Sequence, residues 1–132
     1  MTSVFCLLNH ALTGRQLQDL QDTYGADVRL FTPPDAVSKL WAQVPPEGAL
    51  SKELLRPVFS WLETSAEHDV IIVQGDFGAT FAVVDWALSH GRVPLYATTR
   101  RIEAEERDGE KVYRHYVFEH IGFRPYQRYA DL

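Results

Sequence analysis

The sequence predicts one α/β domain over residues 1–132, a mostly parallel sheet with helices on both faces and a C-terminal antiparallel β-hairpin near residues 100–132. Three observations predict it. Short β-branched runs alternate with helix-period segments in the order β-α-β-α-α-β-α-β, an order that needs crossovers and hence parallel strands. Asp69-Val70-Ile71-Ile72-Val73 is a short β-branched run without alternation, as a strand covered on both faces is. Asp108-Gly109 then divides two alternating segments, a strong type I′ hairpin signal.

Taken in order, residues 4–8 are a compact apolar run and the first strand. Thr13 and Gln16 have capping-box spacing, Leu12 and Leu17 that of a hydrophobic staple, and Gly25 ends the helix they open. Residues 28–31 read as a second strand stopped by Pro33-Pro34, after which Asp35 caps a short helix through Trp41. Pro45-Pro46-Glu47-Gly48 breaks the chain, and residues 51–67 read as a longer helix with Leu54, Leu55, Val58, Trp61 and Leu62 inward. The strand at 69–73 leads through Gln74-Gly75-Asp76-Phe77-Gly78 into a helix at 79–90, apolar nearly all round and closed by Gly91. A fourth strand at 93–97 ends in Thr98-Thr99-Arg100-Arg101. The hairpin follows, its expected register pairing Glu106 with Lys111 and Ile102 with His115. Its strands are expected over residues 101–107 and 110–118, and a tail at residues 119–129, rich in Arg and Tyr, packs back on the domain or on a partner.

Composition narrows the function. The net charge of −5 argues against a coat for duplex DNA, and no apolar run approaches membrane-spanning length. One cysteine, Cys6, in an apolar run fits a small core residue and a cytoplasmic setting. Residues 1–91 hold 5 Lys/Arg against 11 Asp/Glu, whereas residues 92–132 hold 8 against 7. Positive partners for an anion must therefore come from the last third. Zinc spacing, a Walker lysine, a Gly-x-Ser-x-Gly elbow and a third dinucleotide-type glycine are all missing.

In an open parallel sheet, ligands bind outside the carboxyl ends of the strands where the strand order reverses. If the first and third strands are neighbours, that crevice lies between Asn9-His10 and Gln74-Gly75-Asp76, with Thr98 to Arg101 arriving on the fourth strand. Amide, imidazole, hydroxyl and guanidinium groups then converge, a set suited to a phosphorylated ligand. Strand, glycine turn and helix start also offer backbone N–H groups to an anion. Each piece has a plainer reading. Asp76 would compete with an anion for the helix dipole and fits better as an N-cap, or as a contact to a ribose or adenine edge. Arg100 and Arg101 are equally well solvated charges opposite hairpin glutamates.

Four blocks occur in order: Asn9-His10 with Leu12-Thr13; residues 74–80; Tyr96-Ala97-Thr98-Thr99-Arg100-Arg101; and Phe118-Glu119-His120 with Phe123-Arg124 and Tyr126. In these the sequence resembles the small accessory proteins of type III CRISPR loci, of the CRISPR-associated Rossmann-fold, ring nuclease-like group. The resemblance spans nearly the whole chain. It implies a Rossmann-like fold and a homodimer that binds a cyclic oligoadenylate second messenger, most naturally cyclic tetra-adenylate. It further implies a ring nuclease, a hydrolase that ends the antiviral signal. On that expectation the ribose 2′-hydroxyl attacks the adjacent phosphorus without a metal or cofactor. His10 is then the leading acid or base and His120 the second, while Arg100, Arg101 and the amides of residues 75–78 steady the phosphate. Asn9, Thr13, Gln74, Asp76, Phe77, Thr98 and Thr99 would line the ligand. A non-cleaving protein that sequesters the messenger, and a non-catalytic interaction partner, are the alternatives.

Overall fold

Local hydrogen bonds decide where each element starts and stops. In the computed structural model, which describes residues 1–132, β1 (Ser3–Leu7) leads to α1 (Gly14–Tyr24). The Thr13 hydroxyl accepts from the Gln16 N–H at 3.1 Å, and the Gln16 side chain accepts from the Thr13 N–H at 3.0 Å. Gly25, at a φ of 107°, ends the helix in a conformation that costs other residues. After β2 (Arg29–Phe31) comes α2 (Asp35–Ala42), whose N-cap is Pro34. Asp35 is thus a first-turn acid favoured by the helix dipole rather than the expected cap. α3 (Lys52–Leu62) starts where Ser51 Oγ accepts from the Leu54 N–H. It stops short of the expected residue 67. The Thr64 and Ser65 hydroxyls turn back onto the Trp61 and Leu62 carbonyls, and His68 takes a φ of 74°.

β3 (Val70–Val73) is buried throughout, and α4 (Phe77–Ser89) follows at once. The helix therefore starts earlier than the expected residue 79, so residues 77–78 are helix rather than loop. Nor is it buried all round: Ala79, Val83 and Ala87 are buried, whereas Phe77 and Phe81 face solvent. Gly91, with a φ of 73°, turns the chain into β4 (Val93–Asp108), which pairs with β5 (Lys111–Pro125) before a closing 3₁₀ turn at Tyr129–Asp131.

The sheet order is β2-β1-β3-β4-β5, parallel except for the antiparallel β4–β5 pair. Alternation along the central strands divides the core. Phe5, Leu7, Ile71 and Val73 pack with α2, α3 and α4 on one face. Val4, Cys6, Val70, Ile72 and Leu95 pack with Leu20 of α1 on the other. Burial on both faces raises the Cys6 thiol to a pKa of about 11.

Two hairpin expectations need correction. The fourth strand does not end at residue 97; with no Gly or Pro to break it, β4 continues unbroken to Asp108. The register is also displaced, pairing Glu106 with Tyr113, Ala104 with His115 and Ile102 with Val117. Asp108 and Lys111 are the last pair, so Gly109 and Glu110 form the turn. Of the turn residues Gly109 alone has positive φ, at 63°, as the first central position of a type II′ turn requires. A slip of two residues keeps every side chain on its face. β3 pairs with β4 only through Leu95, so β5 is the only strand that pairs with residues 96–108. They form a two-stranded arm whose root carries a bulge at Ile121 between the Thr98 and Thr99 pairs.

Candidate functional site

Adjacent β1 and β3 create the reversal of strand order, since β2 lies to one side and β4 to the other. Leu7 and Val73 are register partners, and the Gln74 N–H donates to the Leu7 carbonyl at 3.2 Å. Beyond this rung the two chains part, β1 into exposed Asn9 and His10, β3 into Gly75 and exposed Asp76. The switch point of the sheet thus lies between these residues, at the carboxyl ends of β1 and β3.

Much of its polar equipment is already engaged. The Gln74 side-chain oxygen accepts from the Ala97 N–H, and its backbone carbonyl accepts from the Trp41 indole N–H, both at 3.0 Å. Gln74 therefore ties β3 to β4 and α2. Gly75 lies flat on that indole, a Cβ there reaching 2.5 Å from Trp41 Nε1. Asp76 caps α4 by accepting from the Ala79 N–H at 3.0 Å, so its carboxylate already sits on the positive end of the helix. Gly78 lies in the first turn beside Leu50.

The groups left open are fewer. His10 is exposed, and its Nδ1 is 2.8 Å from the Ala11 carbonyl. A carbonyl only accepts, so Nδ1 is the donor in this contact, and Nε2 has no hydrogen-bond partner within the chain. Phe77, 93 % exposed, stands on the first turn of α4, and Phe81, 77 % exposed, stands one turn on. Phe81 is a residue that the sequence reading passed over. The signal was present, a second Phe four residues after the first on a helix otherwise given to Ala and Val.

The remaining candidates are distributed along neighbouring elements. Thr13 is spent on its cap, and the Thr98 hydroxyl donates to the Gly122 carbonyl at 3.1 Å. Thr99, Arg100 and Arg101 lie in the arm rather than in a loop at the crevice. The Arg101 guanidinium rests 4.3 Å from the Tyr116 ring centroid, and Arg100 is exposed without an ion pair. His120 is on the α1 side of the sheet, its Nε2 3.0 Å from Asp19 Oδ2 and its side chain 8 % exposed. There it fastens the arm's root to α1 alongside the Arg15–Glu119 pair at 2.7 Å. No three His, Cys, Asp or Glu side chains are grouped to hold a metal ion.

An aromatic wall adjoins the end of β3. The Tyr126 hydroxyl donates to the Val73 carbonyl at 2.7 Å, and its ring packs 4.8 Å from Tyr96. Burial and then Tyr96 raise the Tyr126 pKa, which keeps that donor protonated. A groove of about 520 Å³ runs from here between α4 and the tail, lined by Phe77, Phe81, Tyr126 and Arg128 among others.

The comparisons with known proteins follow this architecture nearly end to end. No solved structure matches the chain. It is 32 % identical over 130 residues to the Uncharacterized protein MJ1673 of Methanocaldococcus jannaschii, covering 98 % of this chain and 100 % of that one. The model of the Uncharacterized protein MJ1673 family matches residues 2–124, taking in both crevice loops, the arm and its root. The chain belongs to the Uncharacterized protein MJ1673 family.

Proposed function

We propose that the protein is a metal-independent ring nuclease, binding a cyclic oligoadenylate over the β1–β3 crevice and opening the ring. Cyclic tetra-adenylate is the favoured ligand, and two copies of the chain would meet its two-fold symmetry. The reading treats the sheet as Rossmann-like, with the ligand at its switch point. Phe77 carries it. An almost fully exposed aromatic ring at the start of the switch-point helix is costly in water, and an adenine face is a fitting cover. The order of the four sequence blocks supports the same ligand.

The chemistry would fall to His10. Its Nε2 takes the proton of a ribose 2′-hydroxyl as that oxygen bonds to the adjacent phosphorus. The bond from phosphorus to the 5′-oxygen breaks, and the leaving oxygen takes a proton from the imidazolium or from water. A 2′,3′-cyclic phosphate and a free 5′-hydroxyl result. Alignment of the attacking and leaving oxygens within the bound ring supplies further rate. Arg100 is the free cation for the phosphate, whereas His120, engaged with Asp19, serves as a structural residue in this scheme.

The test is a single-turnover assay with excess protein, labelled cyclic tetra-adenylate and EDTA. Linear products ending in cyclic phosphate are expected from the parent. His10→Ala should cut about 10²–10⁴-fold more slowly with binding retained. Phe77→Ala should bind about 5- to 150-fold more weakly, the equivalent of one stacked base at roughly 1–3 kcal/mol. Ligand that is bound but never cut would replace this reading with sequestration, and ligand that is not bound would end both.

A further inference from the structure

The arm leaves an account unsettled that the crevice does not touch. A two-stranded ribbon without further cover is marginal in water. Yet Val112, Tyr113, Tyr116, Val117 and Phe118 of β5 each leave about half or more of the side chain open to solvent. The two strands differ sharply. The β4 half of the arm is guarded by Arg101, Glu103, Glu105, Glu106 and Arg107, charges that keep a strand edge from pairing. The β5 half is β-branched and aromatic with few charges, and its outer edge is the last edge of the whole sheet, with no strand beyond it.

We propose that residues 111–119 of β5 pair antiparallel with the same residues of a second copy, joining two arms into one four-stranded ribbon about a two-fold axis at His115. Self-complementarity carries the proposal. An antiparallel register centred on His115 sets Lys111 opposite Glu119, Val112 opposite Phe118, Tyr113 opposite Val117 and Arg114 opposite Tyr116. Each is a favourable cross-strand pair, ionic, apolar or cation–π. Because the axis stands perpendicular to the ribbon, Ile102, Tyr113 and Val117 of both copies fall on one face. The bulge at Ile121 twists the strand away and ends the pairing at the root. Nucleic acid fits poorly as the occupant. Residues 100–119 hold 5 Lys/Arg against 6 Asp/Glu, so the arm offers a polyanion no net attraction. The proposal is independent of the ligand reading and is measured with no nucleotide present.

The experiment combines light scattering with disulfide trapping in the full chain. Directly opposed antiparallel residues have Cα atoms about 4.5–5.5 Å apart, within disulfide reach. Under mild oxidation His115→Cys should give a covalent dimer. Ala104→Cys, on β4 and three strand spacings from its counterpart, or about 14 Å, should not. The native Cys6 is buried and adds no background. The parent should elute at twice the chain mass, and Val117→Glu, a change at an exposed position, should weaken the dimer at least tenfold. Three results overturn the proposal: a monomer at 50 micromolar, roughly the range for such contacts; covalent dimer from Ala104→Cys in place of His115→Cys; or a dimer that neither cysteine traps and Val117→Glu leaves intact.

Discussion

Gly75→Ala tests whether this glycine serves ligand approach or core packing. A methyl group there would stand 2.5 Å from Trp41 Nε1, 2.7 Å from Cε2 and 3.0 Å from Cζ2. Comfortable carbon contacts are about 3.5–4.0 Å, so the indole or the chain must move by roughly 1 Å. The indole has little room, being 1 % exposed and hydrogen-bonded to the carbonyl of the preceding residue, Gln74. Overpacking of this kind costs about 1–3 kcal/mol, and losing the indole bond adds about 1 kcal/mol. A stiffer unfolded chain returns about 0.4–1 kcal/mol. The expected net loss is about 2–3 kcal/mol, or roughly 8–12 °C in Tm for a chain of this size. Gly78→Ala is the control. Its methyl meets the mobile end of exposed Leu50 at 2.9 Å, and alanine suits the first helical turn, so stability should stay within about 1 kcal/mol of the parent. Thermal and urea unfolding measure both. Adding Trp41→Phe should make the Gly75→Ala cost markedly less than additive. If Gly75→Ala melts within about 2 °C of the parent, or the two alanines cost the same, the packing argument fails.

Other outcomes follow from the same contacts. Asp76→Ser keeps an N-cap while removing a negative charge, so stability should hold and a phosphorylated ligand at the crevice should bind about two- to fivefold tighter, as titration would show. Thr13→Ala should cost about 1 kcal/mol in urea unfolding through loss of the α1 capping box, with ligand affinity unchanged. With its pKa raised to about 11 by burial, Cys6 stays a protonated thiol at pH 8 in the folded protein. Thiol reagents should therefore label it only on unfolding, and prompt labelling of the folded chain would contradict the burial.

The parts of the fold that could be read beforehand carry local signatures. The Thr13–Gln16 box and the glycines at 25 and 91 mark ends that hydrogen bonds enforce within a few residues. The switch point between Asn9-His10 and Gln74-Asp76 follows from the sequence only on the supposition that the first and third strands are neighbours, which the observed strand order meets. What escaped depends on contacts distant in sequence. Nothing local says that Gly75 faces Trp41, or that the Gln74 amide is occupied by Ala97. Thr-Thr-Arg-Arg reads as polar loop after residue 97, and only pairing with β5, whose residues are distant in sequence, carries the strand on. In the turn, Asp-Gly was credited with two left-handed positions where only Gly109 takes one.

The ties at the arm's root also bear on how the chain reaches this state. Asp19 is fastened to His120 and Arg15 to Glu119, partners 101 and 104 residues apart, while the end of β3 is capped by Tyr126. During synthesis, β1, β3 and α4 leave the ribosome long before any of these partners exist. Closing such long loops is slow, and contacts of this span delay folding more than they strengthen the product. The nascent chain must therefore wait as an incomplete sheet with the edge of β4 uncovered. A chain stopping before residue 119 would keep the outer pairs of the arm but lose both ties to α1 and the cap on the end of β3, so the last residues fasten the root of the arm to the domain.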